Sequence, residues 1–271
     1  MVEARSGVEI SHALDGIIAR KSQESIPGMV LLGMLAGVYI GFGAIAATTV
    51  TSFTGIPSGI AKLLAGVVFC VGLILVLIPG SELFTGNILM AAGLVSRKVR
   101  LSHVLRNWLV VYSGNFLGSL VLAMLMYGTG LMGTVDAPSA VGRNAAAIAM
   151  AKIGLPFGQA LLRGVLCNML VCLAVIIAVA ARTVAGKIAG ILFPITVFVV
   201  CGFEHSIANM YFLPAGLLAK GVFGSEFLAM FRNLIPVTLG NIVGGLLVIV
   251  LHPARARRLA RSLSWVGNGG E

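Results

Sequence analysis

The chain has 271 residues, of which 58% are hydrophobic and 10% are charged. This balance excludes an ordinary soluble globular domain and predicts that most of the chain lies in a lipid bilayer. The formal net charge is +10, from 19 Lys and Arg against 9 Asp and Glu. In a soluble protein this excess would indicate nucleic acid or another polyanion. In so apolar a chain, membrane orientation and lipid headgroups explain it better, and we expect no nucleic-acid partner.

The four cysteines all fall inside apolar runs and lack the spacing of a metal site or a disulfide framework. We therefore expect buried thiols, no metal and no cofactor. The first 27 residues carry charges but have no apolar core of signal-peptide length. Within them, Ile10, Leu14, Ile17 and Ile18 recur every three or four residues. This spacing predicts an amphipathic helix over residues 9 to 25, lying on the cytoplasmic face.

Six apolar runs follow, each long enough for a helix to cross about 30 Å of hydrocarbon. They cover roughly residues 29 to 50, 63 to 95, 107 to 128, 164 to 181, 188 to 218 and 233 to 251. The second run is interrupted by Pro79, Gly80, Ser81 and Glu82, and the fifth by Gly202, Phe203, Glu204 and His205. Because Pro, Gly and an ionisable group are costly in a helix at membrane depth, we predict that both helices are broken inside the protein.

The basic residues predict the orientation of the spans. Thirteen of them fall on one side, namely Arg5, Arg20, Lys21, Arg97, Lys98, Arg100, Arg106, Arg182, Lys187, Arg255, Arg257, Arg258 and Arg261. The other side carries six, namely Lys62, Arg143, Lys152, Arg163, Lys220 and Arg232. Under the positive-inside rule both termini are cytoplasmic, with a basic tail over residues 253 to 271. The tail is either a topology signal alone or a segment lying against anionic headgroups.

The two halves of the chain carry one repeated pattern. GSELFTGN, with Gly80, Glu82 and Asn87, matches GFEHSIAN, with Gly202, Glu204 and Asn209, at an offset of 122 residues. RNWLVVYSGNFLG from Arg106 matches RNLIPVTLGNIVG from Arg232 at an offset of 126. The units cover about residues 28 to 128 and 159 to 252. Since each holds three spans, the second must enter the membrane upside down, which is an inverted repeat whose discontinuous helices form a substrate pathway.

Polar residues at the breaks are the candidates for function. His205 beside Glu204 is costly in an apolar segment unless it serves a purpose, although a hydrogen-bonded core histidine is the alternative. Glu82 occurs at the same repeat position as Glu204, so we interpret both glutamates as structural partners for backbone N–H groups that the breaks set free. Thr85 offers a hydroxyl that can donate to an anion or to the imidazole. Lys152 lies in the long connection between the third and fourth spans.

LFTGN after the first break, KIGLPFGQALLRGVLCNMLVCLA across the fourth span, and GFEHSIANM resemble the formate/nitrite transporter family. The resemblance implies an aquaporin-like fold, a homopentamer with a pore in each protomer, and passage of formate, nitrite or hydrosulfide. It implies polar pore positions at Thr85, Lys152, Asn168, His205 and Asn209. It implies apolar constrictions at Phe69, Leu73, Phe84 and Phe198. It also assigns a gating role to the N-terminal segment.

The residues support that picture on chemical grounds. Phe69 and Leu73 are four apart, so they share one face of a helix and can form part of a dry constriction. A bare anion crossing such a constriction loses hydration at a cost of several kcal/mol, while its conjugate acid loses far less. A proton donor such as His205 between constrictions therefore has a use. Lys152 in the mouth would concentrate anions.

We therefore predict an all-α, six-span membrane protein of residues 28 to 252 that conducts small monovalent anions, formate first, in a pH-sensitive way. A nitrite or hydrosulfide channel and a proton-coupled monocarboxylate symporter remain open. An aquaporin-like pore for neutral solutes is disfavoured because the paired Asn-Pro-Ala boxes are missing. A membrane enzyme using Glu204 and His205 is disfavoured too, since no nucleophile or metal constellation accompanies them. We expect a multi-pass protein of the cell membrane.

Overall fold

The computed structural model describes residues 4 to 251, and the predicted basic tail lies outside the described residues. The described part is all-helical, with eleven α-helices and two 3₁₀ segments, Ile88–Ala91 and Gly224–Met230. The α-helices are α1 Gly7–Ser22, α2 Ile26–Thr51, α3 Ser58–Leu77, α4 Phe84–Asn87, α5 Ala92–Val95, α6 Leu101–Gly128, α7 Ala140–Ile153, α8 Phe157–Ala180, α9 Val184–Val200, α10 Ser206–Ala219 and α11 Phe231–Leu251.

Within residues 4 to 251, five helical segments are long and apolar enough to cross a membrane. They are α2, α3, α6, α8 and the stretch Gly224–Leu251, which contains α11. The remaining crossing is built from two shorter apolar helices, α9 and α10. The second and fifth predicted spans are thus each divided in two, as α3 with Phe84–Val95 and as α9 with α10. The prediction of six spans with two broken helices is confirmed.

Both breaks use one backbone device. Gly80 and Gly202, equivalent in the repeat, have φ of +93° and +68°, a left-handed conformation that glycine adopts without the steric cost of a Cβ. In each case the residue after the glycine turns its N–H back to a carbonyl five residues earlier, which ends the helix in a Schellman motif. The two bonds run from Ser81 N to Val76 O and from Phe203 N to Phe198 O, both at 3.0 Å.

Helix α7 was not predicted. Residues 140 to 153 were interpreted as part of a long connection because they lack a membrane-length apolar run. Their composition, AVGRNAAAIAMAKI, is instead that of a good helix former, rich in alanine. The side chain of Ser139 caps the first turn by accepting the N–H of Gly142. Lys152 therefore belongs to the last turn of a helix and has a fixed position.

Candidate functional site

Two cavities reach into the described protein from its two ends. The first, which we call the α1 vestibule, has a volume of about 670 Å³ and lies between α1 and the first break, with Leu14, Ile17, Lys21, Glu82 and Leu83 in its wall. The second, the α7 vestibule, has a volume of about 210 Å³ and is lined by Lys62, Phe69, Lys152, Phe198 and His205, among others. Both vestibules therefore end at a helix break.

The course of the helices shows how the two halves are related. Helix α3 begins at the α7 vestibule, which Lys62 lines, and ends at the α1 vestibule, which Val76 lines. Along α9 the order is reversed, from Lys187 in the α1 vestibule to Val199 in the α7 vestibule. The equivalent helices of the two units are thus antiparallel, and the predicted inverted repeat is confirmed.

The two breaks meet at one hydrogen bond. Thr85 Oγ1 lies 2.8 Å from His205 Nε2, and both side chains are buried. His205 is also the N-cap of α10, since its Nδ1 accepts the N–H of Ala208 at 3.1 Å. Because Nδ1 is occupied as an acceptor, the ring presents an Nε2 proton to Thr85. The Thr85 hydroxyl can then donate its own proton onward.

Only part of the predicted apolar constriction lines a vestibule. Phe69 and Phe198 do, in the wall of the α7 vestibule, with their rings edge to face at 5.5 Å. The Phe198 ring also stacks over His205 at 5.9 Å. Leu73 is buried in the core and lines neither vestibule. Phe84 packs its ring on Tyr112 at 4.9 Å and also lines neither.

Each break glutamate sits in a cluster of one lysine and two asparagines. Glu204 Oε1 accepts from Lys152 Nζ at 2.8 Å, and Oε2 accepts from the amides of Asn209 and Asn233 at 2.6 and 3.2 Å. The Lys152 ammonium also lies 5.3 Å from the centre of the Phe212 ring. Burial of such a carboxylate is tolerable because both oxygens accept from a charged or amide donor.

The first break has the equivalent cluster. Glu82 Oε1 accepts from Lys21 Nζ at 2.6 Å, and Oε2 accepts from Asn87 Nδ2 at 2.6 Å. Asn87 Nδ2 also donates to Asn107 Oδ1 at 2.8 Å. In the part of the chain that the structure describes, neither glutamate accepts a backbone N–H, so the expected partners of Glu82 and Glu204 were wrong. Side chains, not peptide groups, hold both carboxylates.

Two further predicted residues are buried in the polar core of the second unit. Asn168 on α8 donates through Nδ2 to the carbonyls of Thr85 and Asn241 at 3.2 and 2.7 Å. Among residues 4 to 251, its Oδ1 has no hydrogen-bond partner. Asn209 lines the α7 vestibule, and its Oδ1 is likewise unpartnered. These free acceptors lie beside the Thr85 backbone and the Glu204 cluster.

Lys21 is the main residue of the site that the sequence did not single out. It was one of several charges in an N-terminal segment, and nothing in its neighbours marks it. The residue that could have pointed to Lys21 is Lys152. If Lys152 pairs with Glu204, the repeat predicts a second cation beside the equivalent Glu82. That cation could not be identified, because Lys21 belongs to α1, outside the repeat unit.

Helix α1 is tied to the body of the protein at several points. The backbone N–H of Arg5 donates to Ala180 O at 2.8 Å, and Asp15 pairs with Lys98 at 2.9 Å. Glu9 pairs with Arg182 and also accepts from Ser6 in a capping box. These hydrogen bonds from Ser6, together with the Arg182 charge, lower the pKa of Glu9 from its ordinary value of 4.5. Arg106 holds the other end through Ser22 O, at 2.8 Å.

The protein consists of two inverted three-span units, and their two broken helices meet between the vestibules. This architecture defines an aquaporin-like membrane channel or transporter. An aquaglyceroporin from Plasmodium falciparum shares this fold, with a TM-score of 0.50 at 18% identity over 85% of this chain and 97% of that one. The chain belongs to the formate/nitrite transporter family, whose model matches residues 8 to 254.

Individual relatives agree with the family. A probable formate transporter of Methanothermobacter thermautotrophicus is 42% identical, over 90% of this chain and 94% of its own. A structure described as a pentameric formate channel with formate bound is similar at a TM-score of 0.72 and 39% identity, over 83% of this chain and 94% of that one. A second, described as an FNT family ion channel, reaches a TM-score of 0.80 at 28% identity, over 93% and 99%.

Proposed function

We propose that this protein conducts small monovalent anions, formate first among them, through a pathway in each protomer that passes the Thr85–His205 pair. The observation that carries the proposal is this 2.8 Å hydrogen bond, since it joins the two breaks between two vestibules of the same design. Formate is the first choice because a relative that is 42% identical is named a probable formate transporter. In this proposal the protein has no catalytic activity.

The charges of both vestibules favour anions. Of the described residues, four cationic side chains (Arg5, Arg20, Lys21 and Lys187) line the α1 vestibule against two carboxylates, Glu24 and Glu82. Within the same part of the chain, Lys62 and Lys152 line the α7 vestibule against one carboxylate, Glu204. Clefts with an excess of one charge raise the local concentration of counter-ions. An anion entering from either end therefore meets a net positive mouth before the apolar section.

In the narrow apolar section the anion must lose its hydration water. Phe69 and Phe198 offer no hydrogen bonds, and the nearest donors beyond them are the Nε2 proton of His205 and the hydroxyl of Thr85. A donor whose hydrogen bond to the anion strengthens as water is lost offsets part of the desolvation cost. We propose this role for the pair, and Leu73 and Phe84 remain candidate constriction residues whose side chains would have to face the pathway in a conducting state.

The assembly and orientation proposed here follow from the same sources. The structure described as a pentameric formate channel supports a homopentamer. The grouping of Arg5, Arg20, Lys21 and Lys187 in one vestibule supports the cytoplasmic placement of that end. Helix α1 lies over this vestibule and is proposed to close it under acidic conditions, which would make conduction pH-sensitive.

Reconstituted transport tests the proposal. Liposomes containing the purified protein should take up formate faster than nitrite, hydrosulfide or lactate, and faster than protein-free liposomes. Faster uptake of nitrite or hydrosulfide would reassign the substrate, and no uptake of any of the four would end the proposal. Internal pH recorded during formate addition separates a channel from a proton-coupled symporter, since only the symporter moves protons in fixed ratio with the anion.

A further inference from the structure

In each break, one asparagine side chain from another helix bonds to the peptide groups on both sides of an extended residue. In the second break, Asn241 of α11 receives the N–H of Ser206 on its Oδ1 at 2.8 Å, and its Nδ2 donates to Glu204 O at 2.9 Å. The carboxamide thus bonds the residues on either side of His205, an arrangement that we call a bracket. Since Asn241 is fully buried, water does not compete for these bonds.

The first break repeats the arrangement around Leu83. Asn115 of α6 receives the N–H of Phe84 on Oδ1 at 3.0 Å and donates through Nδ2 to Glu82 O at 2.9 Å. The bracketed residues adopt one conformation, with φ and ψ of −110° and 120° at Leu83 and −110° and 116° at His205. Two different side chains in the same backbone geometry indicate that the bracket, not the side chain, sets the conformation.

A third bond anchors each bracket to a neighbouring helix. Asn241 Nδ2 also donates to Gly164 O of α8, and Asn115 Nδ2 to Gly33 O of α2, both at 2.8 Å. The carboxamide reaches that far because the helices are in close contact. A Cβ at Gly164 would lie 2.8 Å from Val237 O, so glycine is required there. Each bracket therefore ties a break to two membrane-spanning helices.

We propose that Asn241 is a positioning residue for His205, fixing the direction in which the imidazole faces the passing anion, and that Asn115 does the same for Leu83. The proposal rests on anion conduction as proposed above. The ring cannot keep its Nε2 on Thr85 and its Nδ1 on Ala208 unless the peptide between Glu204 and Ser206 is held still. Asn241 acts on selectivity through His205 and does not touch the anion itself.

Asn241→Asp tests the assignment with little change of shape, because a neutral carboxyl can accept one bond and donate one, where the amide accepts one and donates two. The readout is the ratio of formate flux to lactate flux in liposomes, in which differences in the amount of active protein cancel. We expect Asn241→Asp to lower the ratio at least about threefold, the scale of one weakened hydrogen bond. In a His205→Asn background the same change should have no further effect. Asn115→Asp, the matched control, should shift the ratio equally in both backgrounds.

An unchanged ratio in Asn241→Asp, or an equal further loss in the His205→Asn background, would overturn the positioning role. Should Asn241→Asp not assemble, Asn241→Ser, whose hydroxyl is too short to bridge both peptide groups, is measured in its place with the same expectation. A parent protein that conducts no formate would contradict the proposed function, whereas a conducting parent with an unaffected variant contradicts only this inference.

Discussion

The hydroxyl oxygens of Tyr112 and Thr238 lie 2.9 Å apart, and the two residues are 126 positions apart in the chain. That separation is the offset of the repeat, so equivalent positions of α6 and α11 bond to each other. Such a contact between equivalents requires that the two units face one another across a pseudo-two-fold axis. The pathway proposed here lies where this axis brings the two helix breaks together, at Thr85 and His205.

Lys152 is expected to act through charge. Lys152→Gln leaves Glu204 without its hydrogen-bonded cation and removes the net positive charge of the α7 vestibule, so this mouth no longer concentrates the anion. Flux should fall about tenfold at low ionic strength, the lower end of electrostatic focusing effects. The loss should be small at 1 M salt, where the Debye length is about 3 Å. Formate uptake measured over a range of salt concentrations checks this.

Glu204→Gln provides the control. The double variant, with Lys152→Gln and Glu204→Gln, removes the unpaired negative charge and should recover part of the flux at low salt. A loss that is the same at every salt concentration, or that the double variant does not relieve, would point to a direct hydrogen bond from Lys152 to the anion.

The breaks could be predicted because Pro and ionisable residues are energetically costly in a helix at membrane depth. Pro79, Glu82, Glu204 and His205 are such residues within apolar runs. The repeat also aligned Asn115 with Asn241, but it did not predict their role. Their hydrogen-bond partners lie outside their own helices, 31 to 82 residues away in the chain.

Side-chain direction was the part that sequence could not supply. Phe84 follows Leu83 directly, but Leu83 is the extended residue before α4 and Phe84 is the first residue of that helix, so no simple periodicity relates the directions of the two side chains. The structure sends Leu83 into the α1 vestibule and Phe84 onto Tyr112. Lys21 was missed for a related reason, because α1 lies outside the repeat and only docking brings it to Glu82.

Deletion of residues 1 to 21 tests α1 as a lid. The truncated protein should fold, since the six-span body carries its own core, but it should lose any closure on acidification. Lys21→Gln in the full chain is the necessary companion, because the deletion also removes the partner of Glu82. This variant should keep the closure and lose flux at neutral pH in a salt-dependent way. The measurement is formate flux between pH 8 and pH 4 in both proteins. If the truncated protein still closes on acidification, α1 is not a lid.

Glu9 is expected to make the docking of α1 acid-labile. Hydrogen bonds from Ser6 and the charge of Arg182 lower the pKa of Glu9 in the docked helix. A lowered pKa means that its contribution is complete above the ordinary value of 4.5 and is lost as the pH falls through the lowered value. Limited proteolysis within residues 7 to 22 should therefore accelerate only below about pH 4.5.

Glu9→Gln should raise proteolysis of α1 already at pH 7 and flatten its acid dependence. Asp15→Asn, which breaks the separate pair with Lys98, serves as a comparison that leaves the Glu9 response in place. Equal cleavage of Glu9→Gln and parent at pH 7 would show that this contact does not hold the helix. Because protonation of Glu9 removes a contact, any acid-induced closure by α1 must come from another group.

His205 carries the last prediction, which concerns whether it lends a proton or only a hydrogen bond. His205→Phe approximately conserves volume but loses both the donor to Thr85 and the cap on Ala208, so formate flux should fall sharply and its pH dependence flatten. His205→Asn is the cleaner variant. Asparagine is a favoured N-cap, so its Oδ1 can replace Nδ1 on the Ala208 N–H, but its amide does not titrate.

The asparagine variant should therefore conserve the fold and part of the polar contact while losing the pH response of formate flux. Thermal stability without substrate must be measured alongside, because an unsatisfied buried polar group, such as the Thr85 hydroxyl left without its partner, can cost about 1 to 3 kcal/mol by itself. If His205→Asn conducts formate with the full pH profile of the parent, the imidazole is a structural cap of α10 and proton sharing must be abandoned. If the profile flattens at unchanged stability, a protonatable group at position 205 takes part in permeation.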